Sequence, residues 1–215
     1  MSDTTTTDTR ASRGRRVVVP EFLTLDGYMV GPDEDISWVA VGFDPQMQED
    51  IADQLAGAGL LVFGRVTYEI FAGYWPHAEP YGERDALKPS EGKEDPRIIR
   101  ALNERPKLVF STTLGEPTWA NTQLVAGGLE DEIRRRKREP GDDICVQGSA
   151  SVVQQLARAD LVDEYRLYLH PVVLGNGKRL FSGGHDREDF ALTDLTRYAN
   201  GVLAATYQRT DGGAR

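Results

Sequence analysis

The stretch that decides the fold runs from Asp143 to Phe181: DICVQGSASVVQQLARADLVDEYRLYLHPVVLGNGKRLF. It opens on Ile144-Cys145-Val146, a short continuous apolar run of the kind found in strands buried on both faces. The run breaks at Gln147-Gly148-Ser149-Ala150-Ser151, and the chain then turns amphipathic. Further on, Tyr165, Leu167 and Leu169 alternate with Glu164, Arg166 and Tyr168, the period-2 pattern of a strand. A buried strand that stops at glycine and passes into a helix has two explanations. The break serves packing, or it holds an anion on the free N–H groups and the dipole of the helix start.

Working outward, the same grammar repeats. Val17-Val18-Val19 with Phe22 and Leu23 reads as the first strand. LDGYMVGPDEDISW, Leu25 to Trp38, is rich in turn residues and acids and reads as a loop. DPQMQEDIADQLAGAG is predicted helical. Asp44 caps it, Pro45 suits its first position, and Gly57 or Gly59 ends it. Met47, Ile51 and Leu55 form its inward stripe. Leu60 to Phe63 is a buried strand that turns through Gly64-Arg65-Val66-Thr67 into a helix expected to begin near Tyr68. Pro76 to Pro96 reads as a long irregular loop. A short helix is expected over Ile98 to Asn103, strands over Lys107 to Thr112 and TQLVAG, and a charged helix over Leu129 to Arg138 with Leu129 and Ile133 facing in. Asn200-Gly201 between two strand-like runs signals a hairpin. Short buried strands alternating with helices imply parallel crossovers, and the final hairpin an antiparallel edge. The expectation is one α/β domain with a mixed sheet over residues 16–210, preceded by a disordered tail over residues 1–15.

Composition narrows the function. The chain has 215 residues, enough for one domain with a sizeable core, and a formal net charge of -9. That charge argues against general nucleic-acid binding, which needs basic surface to displace counterions. The single cysteine, Cys145, lies in an apolar run and reads as a buried small hydrophobe. No apolar stretch approaches the roughly 20 residues of a membrane span. The N-terminal segment lacks the apolar core of a signal peptide. A cytoplasmic protein is the expectation. His77, His170 and His185 have no zinc-site spacing, and the acids of the early loop lack calcium-loop spacing, so no metal is predicted. Arg134-Arg135-Arg136 beside Glu130, Asp131 and Glu132 reads as a solvated, ion-paired helix face.

In open α/β sheets ligands bind at the carboxyl ends of strands. Three such ends carry groups suited to phosphate. Gly64, Arg65 and Thr67 offer a cation, a hydroxyl and amides; Ser111 and Thr112 offer hydroxyls; Gly148, Ser149, Ala150 and Ser151 offer a glycine turn at a helix start. Taken singly, Arg65 could serve a salt bridge, Ser111 a turn, and Ser149 or Ser151 a helix cap. Together they could share the several phosphates of a dinucleotide. Asp26 stands apart from its acidic neighbours because it follows an apolar strand at its mouth. Its alternative is turn formation before Gly27.

LVFGRVTYEIF, KLVFSTTL, TWANT, the Val146–Phe181 block and the early LTLDGYMVGP…ISW resemble, in order, the dihydrofolate-reductase-like superfamily. They are closest to the reductase domain of the riboflavin-pathway deaminase-reductase and its stand-alone bacterial relatives, over about Arg16 to Arg209. The resemblance implies a mainly parallel sheet, NADPH as hydride donor and a homodimer. It places Gly64, Arg65 and Thr67 on cofactor phosphates, Ser111 and Thr112 near the 2′-phosphate, and Gly148, Ser149, Ala150 and Ser151 around the pyrophosphate, with Gln147 before them also counted as cofactor-binding. It also implies that Asp26 orients or protonates a pterin- or pyrimidine-like substrate, with Phe22 and Trp38 beside it. The chain departs from the family in three places. Gly148-Ser149 stands where Gly-Gly is frequent. Gln147 replaces a common Glu, so a carboxylate is lost there. Between GRVT and KLVF no counterpart of the sugar-phosphate-binding segment is found. The function expected is therefore an NADPH-dependent oxidoreductase acting on a small heterocycle. The alternatives are an NADPH-binding protein without turnover and a dihydrofolate reductase proper.

Overall fold

The structure, a computed structural model, describes residues 14–40, 44–81, 93–183 and 187–210. The first strand, β1 (Val17–Thr24), is followed by a short β2 (Tyr28–Val30), a 3-10 turn at Pro32–Glu34 and a single helical turn, α1 (Ser37–Ala40). Then come α2 (Pro45–Ala56), β3 (Ala58–Gly64), α3 (Arg65–Tyr74) and a 3-10 turn at Trp75–His77. Two-residue strands β4 (Glu79–Pro80) and β5 (Lys93–Glu94) precede α4 (Pro96–Glu104), β6 (Lys107–Phe110) and β7 (Thr122–Val125). The chain finishes with α5 (Leu129–Lys137), β8 (Asp143–Val146), α6 (Ala150–Arg158), β9 (Glu164–His170), β10 (Lys178–Arg179), β11 (Phe190–Arg197) and β12 (Leu203–Arg209).

Eight strands make one mixed sheet in the order β11-β12-β9-β1-β8-β3-β6-β7. From β9 to β7 every pairing is parallel, and β12 and β11 add on antiparallel. The Asn200-Gly201 hairpin joins these last two strands, with Gly201 at φ +89. Helices cover both faces. On one, α5 and α6 bury Ile133, Val153 and Leu156 against Val17, Val19, Val62 and Val146. On the other, α2, α3 and α4 bury Leu55, Tyr68 and Leu102 against Leu61, Phe63 and Val109. Cys145 is buried in this second layer, where the surroundings push its thiol up to about 12.

Local chemistry explains the element ends. The Asp44 side chain accepts from the Met47 N–H and starts α2, and Asp95 does the same for α4 through Arg97 N. Lys107 is almost wholly buried, yet its ammonium donates to three carbonyls, of Asn103, Arg105 and Ala120, and lies 4.5 Å from the centre of the Trp119 ring. It thereby ties the end of α4 to the turn before β7. On α5, Glu132 holds both Arg135 and Arg136, the ion-paired face expected from the charge pattern.

Several expectations are corrected. The helix after β3 begins at Arg65, three residues earlier than expected, because the glycine is its cap and the Arg-Val-Thr segment its first turn. The Leu25–Trp38 stretch contains β2, paired antiparallel with β10 in a small separate sheet. The alternation in β9 does not sort buried from exposed residues. The strand is flanked on both sides, and Glu164 is buried with Arg16 and Arg166 on its carboxylate. Of the Pro76–Pro96 loop, residues 82–92 lie outside the described residues, and the ends pair as β4 and β5. The expected N-terminal tail lies outside them too, except for Gly14, which bridges to Pro140, and Arg15, which donates to the Asp142 carbonyl.

Candidate active site

Parallel strands β3, β6, β7 and β8 end on the same edge of the sheet, and α3, α5 and α6 start there. All three helices begin without a side-chain capping bond, at Gly64, Gly128 and Ser149. Their first-turn amides are therefore left for another partner, and their dipoles converge on the same place. Between them lies a cleft of about 340 Å³, lined by residues including Gly64, Arg65, Ser111, Thr112, Gly128 and Ser149. Close packing makes it. A methyl group on Gly64 would collide with Ser149 Oγ and stand 3.2 Å from both Ser149 Cβ and Ser149 N. Gly148 has φ +91, and the Gly148–Ser149 peptide is cis. The Arg65 guanidinium pairs with Glu69 one turn on, and both are largely exposed.

A second, larger cavity of about 810 Å³ adjoins the cleft, and Val66, Ser149 and Ser151 line both. Its walls are mostly apolar: Phe22 from β1, Met29 and Val30 from β2, Ile36 and Val39, and Ile70, Phe71 and Trp75 from α3 and the turn after it. Gln147, Gly148 and Thr67 form part of the lining, and Lys178 and Arg179 stand in β10. Gln147 donates its amide N–H to Cys145 Sγ at 3.0 Å. Lys178 pairs with Glu34. The Arg179 guanidinium lies 4.4 Å from the centre of the Tyr28 ring and donates to the Tyr28 hydroxyl and the Asp26 carbonyl.

The residues singled out from the sequence thus divide. Gly64, Arg65, Ser111 and Thr112 line the cleft, Thr67, Gln147, Gly148, Ala150 and Phe22 line the larger cavity, and Ser149 and Ser151 line both. Two do not fit their expected places. Trp38 is buried and lines neither space. It packs edge-on against His170 at 5.2 Å, and His170 in turn meets the edge of Phe22 at 5.5 Å. Asp26 also lines neither. Its carboxylate accepts from the Thr24 hydroxyl at 2.6 Å and from the N–H groups of Gly175 and Leu174 at 2.7 and 3.3 Å. The Thr24 hydroxyl and then these amides hold its pKa below the usual carboxylate range. A carboxylate so occupied is an anchor for the 174–175 loop and a poor proton donor.

The sequence reading missed two features. Gly127 and Gly128, with positive φ, line the cleft at the start of α5. The signal was there: a strand, two glycines and a helix, the pattern already used at the other strand ends. The second is Glu21, which lines the large cavity. It shares a face of β1 with Val17, Val19 and Leu23, all buried, so an acid stands where the period-2 pattern asks for an apolar residue. The residue as a whole is half-buried, but its Oε1 is sealed from water and has no hydrogen-bond partner among the described residues. Burial raises its pKa to about 8. No group of acids, histidines and cysteines able to hold a metal occurs among the described residues.

Comparison with known proteins agrees with this architecture. The Bacillus subtilis (strain 168) protein YyaP is 29% identical over 193 residues, covering 90% of this chain and 94% of its own. A crystal structure of a putative riboflavin biosynthesis protein from Shewanella sp. PV-4 superposes with a TM-score of 0.69 at 20% identity, covering 91% of this chain and 99% of that one. The deaminase/5-amino-6-(5-phosphoribosylamino)uracil reductase of Thermotoga maritima superposes with a TM-score of 0.61 at 16% identity, over 92% of this chain and 57% of that one. Dihydrofolate reductase from Enterococcus faecalis, solved with NADP(H), gives 0.55 at 12% identity, over 91% and 97%. These likenesses fix a dihydrofolate-reductase-like fold. The family model of the RibD C-terminal domain matches residues 15–204, and the chain belongs to that family.

Proposed function

We propose that the chain is an NADPH-dependent reductase of a small heterocyclic molecule, with the cofactor phosphates in the cleft and the reacting ring in the adjoining cavity. One observation carries this reading: three uncapped helix starts converge on a cleft that opens, past Val66, Ser149 and Ser151, into a mostly apolar cavity. Unpaired N–H groups at helix starts are donors for phosphate oxygens, and the bare backbone at Gly128, where a side chain would meet open space, lets an anion come close. Arg65 would turn from Glu69 to a phosphate. Ser111 and Thr112, which line the cleft just past the end of β6, would make the hydroxyl contacts that favour a 2′-phosphate. When bound, NADPH supplies the hydride, and the protein supplies position, dryness and a proton. A homodimer is part of the proposal, and exposed Leu192 and Leu195 on edge strand β11 are the surface it would cover.

The test is a titration with NADPH and NADH, followed by quenching of tryptophan fluorescence and checked by calorimetry. Saturable NADPH binding, at least tenfold tighter than NADH and weakened at least tenfold by Arg65→Ala, is the expected result. Failure of the wild-type protein to bind either nucleotide refutes the reading.

A further inference from the structure

Gln147 in the lining of the large cavity carries no carboxyl, and Asp26 is occupied elsewhere. The large cavity nevertheless contains a carboxyl. Glu21 reaches it from β1, in the middle of the sheet between β8 and β9. Its Oε1 lies 3.6 Å from where a methyl group on Gly148 would stand, beside the junction of the two cavities. The Thr67 side chain adjoins the same point, and the cavity walls as a whole are mostly apolar, with Phe22, Val66, Ile70 and Phe71 among them. An acid on the core face of a central strand, with an oxygen that neither water nor a protein donor reaches, weakens the fold. Burial favours its protonated form, so a carboxyl that carries a proton stands in the lining of the cavity.

The same lining says what would fill it. A phosphorylated substrate needs a cation or free donors at its anionic end. The lining cations of this cavity are Lys178 and Arg179. Lys178 is paired with Glu34, whose own carboxylate lines this cavity and opposes an anion there, and Arg179 is spread over Tyr28 and the Asp26 carbonyl. The hydroxyl donors at the start of α6, Ser149 and Ser151, line both spaces and are shared with the cleft proposed for the cofactor phosphates.

We propose that Glu21 is the proton donor of this cavity, and that the substrate is an uncharged, unphosphorylated molecule with an apolar body and a C=N bond whose nitrogen meets Glu21. This rests on the reductase reading. The step balances: hydride from NADPH adds to the carbon of C=N, the Glu21 proton passes to the nitrogen, and an amine, NADP⁺ and the Glu21 carboxylate result. After the amine leaves the cavity, a proton from solvent restores the carboxyl.

The experiment uses the full chain saturated with NADPH. Calorimetry measures binding of isoquinoline, an apolar aromatic base that is not reduced. Absorbance of NADPH measures reduction of 3,4-dihydroisoquinoline, with ribose 5-phosphate as the phosphorylated comparison. Wild type is expected to bind isoquinoline, to reduce the cyclic imine and to leave ribose 5-phosphate untouched. Glu21→Gln, which keeps size and hydrogen bonding but supplies no proton, is expected to bind NADPH and isoquinoline within threefold of wild type while kcat falls about 100-fold or more. Glu21→Leu is expected to lose isoquinoline binding at least tenfold. The proposal is overturned if NADPH-loaded wild type binds no isoquinoline or fails to reduce the imine, if ribose 5-phosphate is the faster substrate, or if Glu21→Gln keeps kcat within threefold. If wild type binds no NADPH, the reductase reading itself fails, and that result is separate from all the others.

Discussion

A sharp consequence of the site geometry concerns Gly64 and Ser149, the caps of α3 and α6. Gly64 has φ -82 and ψ 163, ordinary extended backbone that alanine adopts without strain. The cost of Gly64→Ala is therefore steric. The new Cβ collides with Ser149 Oγ and stands 3.2 Å from Ser149 Cβ and N. Overpacking of this kind costs about 1–3 kcal/mol, and the double contact argues for about 2 kcal/mol. Ser149→Gly alone removes no capping bond, since the serine makes none, so it costs about 0.5 kcal/mol in added backbone freedom. Independent effects would sum to about 2.5 kcal/mol. In the double variant the hydroxyl and Cβ are gone and only the approach to the backbone nitrogen remains, so a loss of about 1 kcal/mol is expected. The coupling, about 1.5 kcal/mol, is read from urea unfolding of the four proteins at one pH, with m-values compared to check the two-state treatment. Additivity within about 0.5 kcal/mol would refute the claim that these two caps are in contact.

Three further outcomes follow from residues already described. Lys107→Met leaves three carbonyls without their shared donor, and a loss of about 3 kcal/mol, a fall in Tm of roughly 6–12 °C, is expected by circular dichroism; a loss below about 1 kcal/mol would contradict the role given to this ammonium. Burial raises Glu21 from 4.5 to about 8, so the native chain keeps a proton that the unfolded chain has released, and stability declines as pH rises through that window. The slope limit is about 1.4 kcal/mol per pH unit, and because the residue as a whole is only partly buried a total near 2–3 kcal/mol is expected; Glu21→Gln abolishes this decline, and parallel wild-type and variant curves between pH 5 and 8 would sink the assignment. Asp26→Asn weakens the latch on the 174–175 loop while NADPH affinity stays within twofold; hydrogen exchange at the Gly175 amide should speed up, and unchanged protection would remove the anchor role.

Much of this architecture is written in local patterns. Val17–Val19, Leu60–Phe63 and Ile144–Val146 are apolar runs too short for helices, and each is a central strand of the sheet. Asp44 and Pro45 start a helix for reasons of hydrogen bonding and fixed φ that need no tertiary context. Candidate residues at the ends of β3, β6 and β8 line the two adjoining spaces, because strand ends in a parallel sheet share one edge. What escaped depends on distant partners. Asp26 looks available until Leu174 and Gly175 are folded onto it. Glu164 looks exposed until Arg16, just before β1, joins its strand neighbour Arg166 on the carboxylate. Glu21 was legible as an acid in an apolar register, but its isolation is a property of the cavity and not of its neighbours in sequence.

The position of β1 has a kinetic consequence. The first strand of the chain is hydrogen-bonded to β8 and β9, with Val17 beside Ile144 and Val18 beside Glu164. Until those late segments exist it has no sheet partner. At about 5–20 residues per second of synthesis, Val17–Thr24 waits for several seconds as an apolar segment with both edges open. Non-local pairing of this kind slows closure of the sheet. A nascent chain of this protein is thus most exposed to misassociation through its N-terminal strand, and the polar break that Pro20 and Glu21 put into its apolar run is the feature that limits it.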